Sequence, residues 1–293
     1  MIAMSMLLAM IVGIFVGIPV SFTLIFLALG FGYAVMGQNV FDLAYYNLIG
    51  GLSNEVFMAI PMFIFMGYIC ERAGLVERLF DSLKTVVGNL YIVVIVIAVF
   101  ISLATGVVGA SVTLLGIMAA PHMMRLGYNS KLTAGVIAGG GSMIMIPPSV
   151  PLIVMAPTMN LNIIDLYAGA LVPGLMIAVM YVIYVSFFPR PKNDEIPQYG
   201  RVLIDVLPLT FLIAMVLGSM LFGLATSTEA GAFGAFGALI LATLNGKLFL
   251  KEALLKTCDT TSVVMLLALA SMIFGAVFTS LGGDTVVINA LNT

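Results

Sequence analysis

Apolar residues run along this chain in long blocks broken by short polar windows, and no block alternates with the two-residue period of a half-buried strand. The pattern predicts helices throughout. Residues 2–36 form one apolar run interrupted at Gly17-Ile18-Pro19, long enough for a single tilted, broken crossing of a membrane but short for two spans of about 20 residues each. One crossing is predicted, leaving Gly37 to Glu55, with Tyr45 and Tyr46, as an interfacial connection before residues 56–70 run back through Pro61. Then comes ERAGLVERLFDSLKTVVGNL, in which Leu75, Leu79, Phe80, Leu83 and Val87 recur at helical spacing against Glu71, Arg72, Glu77, Arg78, Asp81 and Lys84. That periodicity predicts an amphipathic helix over 71–88 lying in the membrane interface.

Residues 91–121 are too few for two full crossings of about 20 residues each plus a turn. Their middle, ATGVVGAS from Ala104 to Ser111, is small and hydroxylated. A re-entrant helical hairpin is predicted, with a tip that protein or a water-filled cavity must surround. The next run, 132–157, contains VIAGGGSMIMIPPSVPLIVMAP from Val136 to Pro157. Pro147, Pro148 and Pro151 donate no backbone N–H and restrict the residues before them, so a continuous helix cannot pass. A broken helix is predicted, with carbonyls near Gly141 to Met145 freed of helical partners; the plainer reading is a proline-kinked structural helix.

Residues 166–188 form a further helix, and the mixed-charge PRPKNDEIPQYGR lies in a linker, 189–206. Helices follow over 207–223 and 230–245, the second carrying Gly231, Gly234 and Gly237 as a small-residue packing face. A second amphipathic helix is predicted over 246–257, with Leu248, Leu250, Leu254 and Leu255 among Lys247, Lys251, Glu252 and Lys256, then an apolar helix over 262–281. The order of elements in 1–188 thus begins again in 207–293, giving an internal repeat whose second copy lacks a hairpin and a broken helix.

Composition fixes the class. Hydrophobic residues make up 62% and charged residues 8%, and the mean hydropathy is +1.22, against roughly 25% charged in a soluble domain. The fold class is all-α integral membrane, a multi-span bundle. All 11 Lys and Arg fall within 72–84, 125–131, 190–201 and 247–256, which places those windows in the cytoplasm. The connections near 37–55, 158–165 and 224–229 carry Asp42, Glu55, Asp165 and Glu229 without a basic residue and face outward. Glu229 and Asp165 read as solvated acids. Cys70 and Cys258 are far apart and form no CxxC spacing, so neither a disulfide nor a metal site is indicated.

The residues exclude most catalytic classes. His122 is the single histidine, beside Arg125 at a cytoplasmic turn, and no buried acid pair or metal-ligand cluster accompanies it. No catalytic residue is assigned. Thr105, Ser111, Ser142 and Ser149 instead offer neutral hydroxyl oxygens beside irregular backbone, a donor set suited to a hard monovalent cation or a carboxylate at helix ends. A channel or a structural membrane subunit is the alternative, although a channel would need a continuous lined pore.

The stretches GIPVSFTLIFLALG, IPMFIFMGYICERAGLVERL, TGVVGASVTLLGIMAAPHMMRLGYNSKLTAGVIAGGGSMIMIPPSVPLIV, YAGALVPGLM and ATSTEAGAFGAFGALILA resemble the large membrane subunit of TRAP (tripartite ATP-independent periplasmic) transporters, the DctM-like permeases. The resemblance covers nearly the whole chain, and the tip spelling GVVGASV resembles the mannitol/chloroaromatic or 2-oxo acid branch. It implies an inverted-repeat, elevator-type secondary transporter (a permease acting by symport) in a bacterial or archaeal cytoplasmic membrane, moving an organic acid inward with Na+ as the coupling ion. It also implies two partners, a periplasmic substrate-binding protein and a small four-helix membrane subunit. Carried over by position, the site comprises the hairpin tip (Thr105, Gly106, Gly109, Ala110, Ser111) and the break (Gly140, Gly141, Ser142, Pro147, Pro148, Ser149). Members of the family are typically longer, so a second hairpin and a second Pro-Pro break are expected beyond this stretch of chain. The topology is checked by cysteine labelling: single cysteines between Arg125 and Lys131 or between Asn245 and Lys247 should react from the cytoplasm, and cysteines between Leu224 and Glu229 from outside.

Overall fold

The computed structural model describes residues 2–105, 108–159, 161–189, 191, 199–246, 249–285 and 288, with the side chains of residues 104, 105, 108 and 110 outside that description. Regular structure among the described residues is helical. The α-helices are α1 (Ile2–Phe15), α2 (Val20–Met36), α3 (Asn39–Leu52), α4 (Val56–Arg72), α5 (Leu75–Val86), α6 (Leu90–Thr105), α7 (Val108–Arg125), α8 (Ser130–Gly140), α9 (Val150–Thr158), α10 (Ile163–Ser186), α11 (Tyr199–Leu221), α12 (Ser227–Leu244) and α13 (Leu250–Ser280), with a 3-10 turn at Gly141–Met145 between α8 and α9. Segments such as LYIVVIVIAVF in α6 are rich in β-branched residues that favour strands in water. In lipid a helix is the form in which a single segment satisfies its own backbone.

Four helices, α10 to α13, are long and apolar enough to cross a membrane, and counting α3 with α4 and α8 with α9 as bent pairs raises the number to six among the described residues. The protein is therefore a multi-span membrane protein. The chain divides into one unit of residues 1–57 and 260–293 and another of residues 58–259.

In the first unit, residues 2–36 do not make the single broken crossing that their length predicts. They form two helices, α1 and α2, that pack against each other. Pro19 cannot continue a helical hydrogen-bond ladder, and Gly17 takes φ +91°, a conformation that costs a glycine little. The chain reverses there, bringing Gly13 so close to α2 that a Cβ on it would lie 2.7 Å from Thr23 Cγ2. The core of this unit gathers Met6, Leu24, Ala28, Val40, Ala270, Ile273, Phe274 and Val277.

Helix α13 also departs from the expected pattern. The predicted amphipathic helix over 246–257 and the predicted helix over 262–281 are one continuous helix, Leu250–Ser280. Neither glycine nor proline interrupts 250–274, so KTCDTTS stays helical, and the Thr257 hydroxyl is satisfied within the helix by donating back to the Ala253 carbonyl at 2.7 Å. Between α5 and α6, by contrast, Gly88 and Asn89 break the chain, and the Asn89 side-chain oxygen accepts from the Tyr91 N–H at 3.1 Å. The two stretches that read alike in sequence thus differ in structure. The linker is also shorter than 189–206, because α11 is helical from Tyr199.

In the second unit, α5 buries Leu75, Val76, Leu79 and Phe80, packed against α6 and α11. Its polar edge is tied down as well: the Ser82 hydroxyl donates to the carboxylate of Asp205, which also pairs with Arg201 at 3.6 Å within α11, and Arg78 donates to the Asn245 side chain. Glu229 proves to be part of a capping box rather than a free loop acid, since its carboxylate accepts from the Thr226 N–H at 2.8 Å. The spelling Thr226-Ser-Thr-Glu229 carried that signal.

The glycine face of α12 behaves as its spacing predicts. A Cβ on Gly231 would lie 3.1 Å from Met62 Cβ, one on Gly234 would lie 2.6 Å from Met66 Sδ and 2.9 Å from Val216 Cγ2, and one on Gly237 would lie 2.5 Å from Leu212 Cδ1. Gly234→Leu should therefore overpack the contacts with α4 and α11 and lower stability by about 1–3 kcal/mol, read as an earlier thermal unfolding transition of the purified protein. Gly169, with nothing within 4 Å of its Cβ position, should accept leucine with a change within about 0.5 kcal/mol.

Candidate functional site

The hairpin legs α6 and α7 have 16 and 18 residues, giving lengths of about 24 and 27 Å. A hydrocarbon core is about 30 Å thick. A reciprocal tyrosine pair fixes the base of the hairpin to the start of α8. The Leu90 N–H donates to the Tyr128 hydroxyl at 3.1 Å, the Asn129 N–H donates to the Tyr91 hydroxyl at 3.2 Å, and the two rings meet edge to face at 4.8 Å. Asn129 then caps α8, its side-chain oxygen accepting from the Lys131 and Leu132 N–H groups.

At its far end α8 tightens into the 3-10 turn Gly141–Met145, where Ile146 N–H donates to the Met143 carbonyl at 2.9 Å. Pro147 and Pro148, joined by a cis peptide bond, offer no N–H to the carbonyls that a continuing α-helix would pair with them. The chain resumes as α9 from Val150, bent by 40° from the preceding segment. The break is largely enclosed: Gly140, Gly141, Met143, Ile144, Ile146, Pro147, Pro148, Ser149 and Val150 are buried, while Ser142 and Met145 are exposed. Both hairpin legs and α10 pack on the 3-10 turn.

The predicted site residues separate into distinct environments. Gly140 is wedged between the hairpin legs, since a Cβ there would lie 2.8 Å from Leu115 Cδ1 and 3.0 Å from Ala98 Cβ. Ser111 on α7 is 1% exposed. Ser149 is also 1% exposed, in extended backbone at the N-cap of α9 with no side-chain capping bond, and its Oγ has no hydrogen-bond partner among the described residues. Its carbonyl accepts from Ile153 N–H at 3.1 Å and from the Tyr167 hydroxyl at 3.5 Å. Ser142 is exposed, and its hydroxyl donates to the Gly139 carbonyl at 2.7 Å and lies 3.3 Å from the Tyr181 hydroxyl. Gly109 is exposed, and no described residue lies within 4 Å of its Cβ position, so no close approach among the described residues requires glycine there. Gly106 and the side chains of Thr105 and Ala110 lie outside the described residues.

Sequence reasoning missed four oxygens around this region. Tyr167 and Tyr181, both on α10, reach Ser149 and Ser142, and their separation of about four helical turns, which puts them on one face, was a legible signal. Ser102 and Thr133 are buried with hydroxyls lacking a partner among the described residues. Ser102 precedes Thr105 by three positions on the same leg, a one-turn spacing. Nothing in the sequence marked Thr133. The Ser149 and Tyr167 oxygens that meet at the break are neutral, and a buried hydroxyl without a partner is costly unless something else uses it.

A family model described as "Tripartite ATP-independent periplasmic transporter, DctM component" matches residues 7–293. Among curated proteins, the chain is 30% identical over 278 residues to the sialic acid TRAP transporter large permease SiaM of Vibrio cholerae, covering 89% of this chain and 65% of that relative. It is 28% identical to the 2,3-diketo-L-gulonate TRAP transporter large permease YiaN of Escherichia coli, with 89% and 65% covered. To the isethionate TRAP transporter permease DctMQ of Oleidesulfovibrio alaskensis it is 26% identical, with 90% and 44% covered. The chain thus spans less than two thirds of the length of these relatives. With the match reaching across almost every helix described above, this chain belongs to the DctM family of TRAP transporter permeases.

Proposed function

We propose that the chain forms part of the large membrane subunit of a Na+-coupled TRAP transporter in a bacterial cytoplasmic membrane, importing an organic acid delivered by a periplasmic binding protein. A small four-helix membrane subunit completes the assembly. The observation that carries this reading is the enclosed break at Gly141–Ser149, where the Ser149 hydroxyl is buried without a hydrogen-bond partner among the described residues. Neutral oxygens beside interrupted helix ends suit a hard monovalent cation, and the adjoining α9 N-terminus suits a carboxylate. The relatives named for sialic acid, 2,3-diketo-L-gulonate and isethionate support an organic anion as cargo.

In this reading the hairpin α6–α7 is re-entrant, its tip (Thr105, Gly106, Gly109, Ala110 and Ser111) faces the break, and the hairpin and broken helix move together as an elevator. Ser111 and Ser149 hold the ion with nearby carbonyls. Gly140 sets the spacing by letting α8 lie against both legs.

The test is the Ser149→Ala exchange in the transporter carrying this chain, reconstituted in liposomes with its partners. Because no hydrogen bond is lost, thermal stability should stay within about 1 kcal/mol of the wild type or rise slightly. The Na+ concentration for half-maximal uptake should rise about tenfold, the equivalent of losing one ligand worth on the order of 1 to 2 kcal/mol. Unchanged Na+ dependence in the Ser111→Ala, Ser149→Ala double variant would remove both hydroxyls from the site.

A further inference from the structure

A cavity of about 460 Å³ lies between α6, α8 and α10 and runs along α8 as far as Gly139, on the approach to the break. Its walls are apolar along most of their length, with Ile95, Leu132, Val136 and Val185 and the rings of Tyr181 and Phe188. Its polar groups are unevenly placed. The Tyr181 hydroxyl lies beside Gly139 at one end, Lys131 and Asn129 stand at the other, where α8 begins, and among the described residues no carboxylate lines the cavity. Tyr184 and Phe188, exposed and packed edge to face with centroids 5.0 Å apart, flank the same end from the last turns of α10. This is the side that the basic windows 125–131 and 190–201 assign to the cytoplasm.

The floor of the groove is made by glycines. Gly135 has nothing within 4 Å of its Cβ position, and Gly139 has only the Tyr181 ring, at 3.5 Å. From Lys131 to Gly139 the groove extends about 12 Å along α8, from a cationic rim with paired aromatic rings into an apolar interior. A water-soluble ligand has no use for that gradient. A lipid does: acyl chain inside, phosphate at the rim, where a lysine at the anionic cytoplasmic leaflet attracts negative headgroups.

We propose that this groove between α8 and α10 binds an anionic phospholipid of the cytoplasmic leaflet, its phosphate on Lys131 and one acyl chain over Gly135 and Gly139. The assignment is independent of the transported substrate and of the coupling ion. A lipid held here touches the helix that leads into the break and the Tyr181 ring that meets Ser142, so occupancy stiffens the approach to the candidate site.

Native mass spectrometry of the purified full chain tests this with two probes of matched acyl chains, dioleoyl phosphatidylglycerol and dioleoyl phosphatidylcholine. The wild type should retain phosphatidylglycerol about fivefold more than phosphatidylcholine, the expected worth of one lysine near the surface. Lys131→Glu should abolish the preference and Lys131→Arg should keep it. Gly135→Leu fills open space within a helix, so it should preserve circular dichroism and thermal stability while losing both lipids. Equal retention of the two lipids by the wild type, or a preference that survives Lys131→Glu, would overturn the proposal. Displacement of the lipid by millimolar glycerol phosphate would overturn it too, by showing that the headgroup alone is recognised.

Discussion

Three prolines within five residues leave a stretch of backbone that cannot pair with itself, and the second unit is arranged around closing protein over that stretch. Gly141–Met145 tightens into a 3-10 turn, and the freed groups beyond it are shut away by both hairpin legs and by α10. A backbone interrupted in this way is tolerable in an apolar surrounding only when other chain segments enclose it. The enclosure explains why Gly140 must lack a side chain, why Tyr91 and Tyr128 lock the hairpin to the base of α8, and why α10 carries hydroxyls opposite both ends of the break.

The same enclosure makes a transport site possible. At the break the interrupted backbone and the buried Ser149 hydroxyl supply the neutral oxygens on which the proposed ion site rests. Ser149 shows the consequence most directly. A buried hydroxyl without a protein partner among the described residues is costly unless another group pairs with it, and the proposed ion would be such a group.

Around this centre the second unit is held by close helix contacts and by a polar fringe. The glycine face of α12 lets α4 and α11 approach, and the serine, arginine and asparagine contacts of α5 fasten it to α11 and to the end of α12. The lipid groove lies outside this packing, in the space that glycines of α8 leave open toward α10.

The class, the broken helix and the glycine packing face were legible along the chain because each rests on a local rule: so apolar a composition excludes a soluble domain, proline cannot donate an N–H, and glycines every third residue share a face. Contacts between distant segments settle what local pattern leaves open. Residues 2–36 fold back on themselves because α1 gains a partner in α2, which hydrophobicity alone cannot distinguish from a single tilted span. The amphipathic patterns of α5 and of the start of α13 read alike, yet the apolar face of α5 is covered by α6 and α11 while Leu254 and Leu255 remain exposed. Gly109 and Gly140 looked equivalent in sequence, and only packing shows that one stands in open space and the other between two helices. Periodicity reports which face of a helix is apolar; what covers that face is set by contacts between segments far apart in the chain, and no local pattern records them.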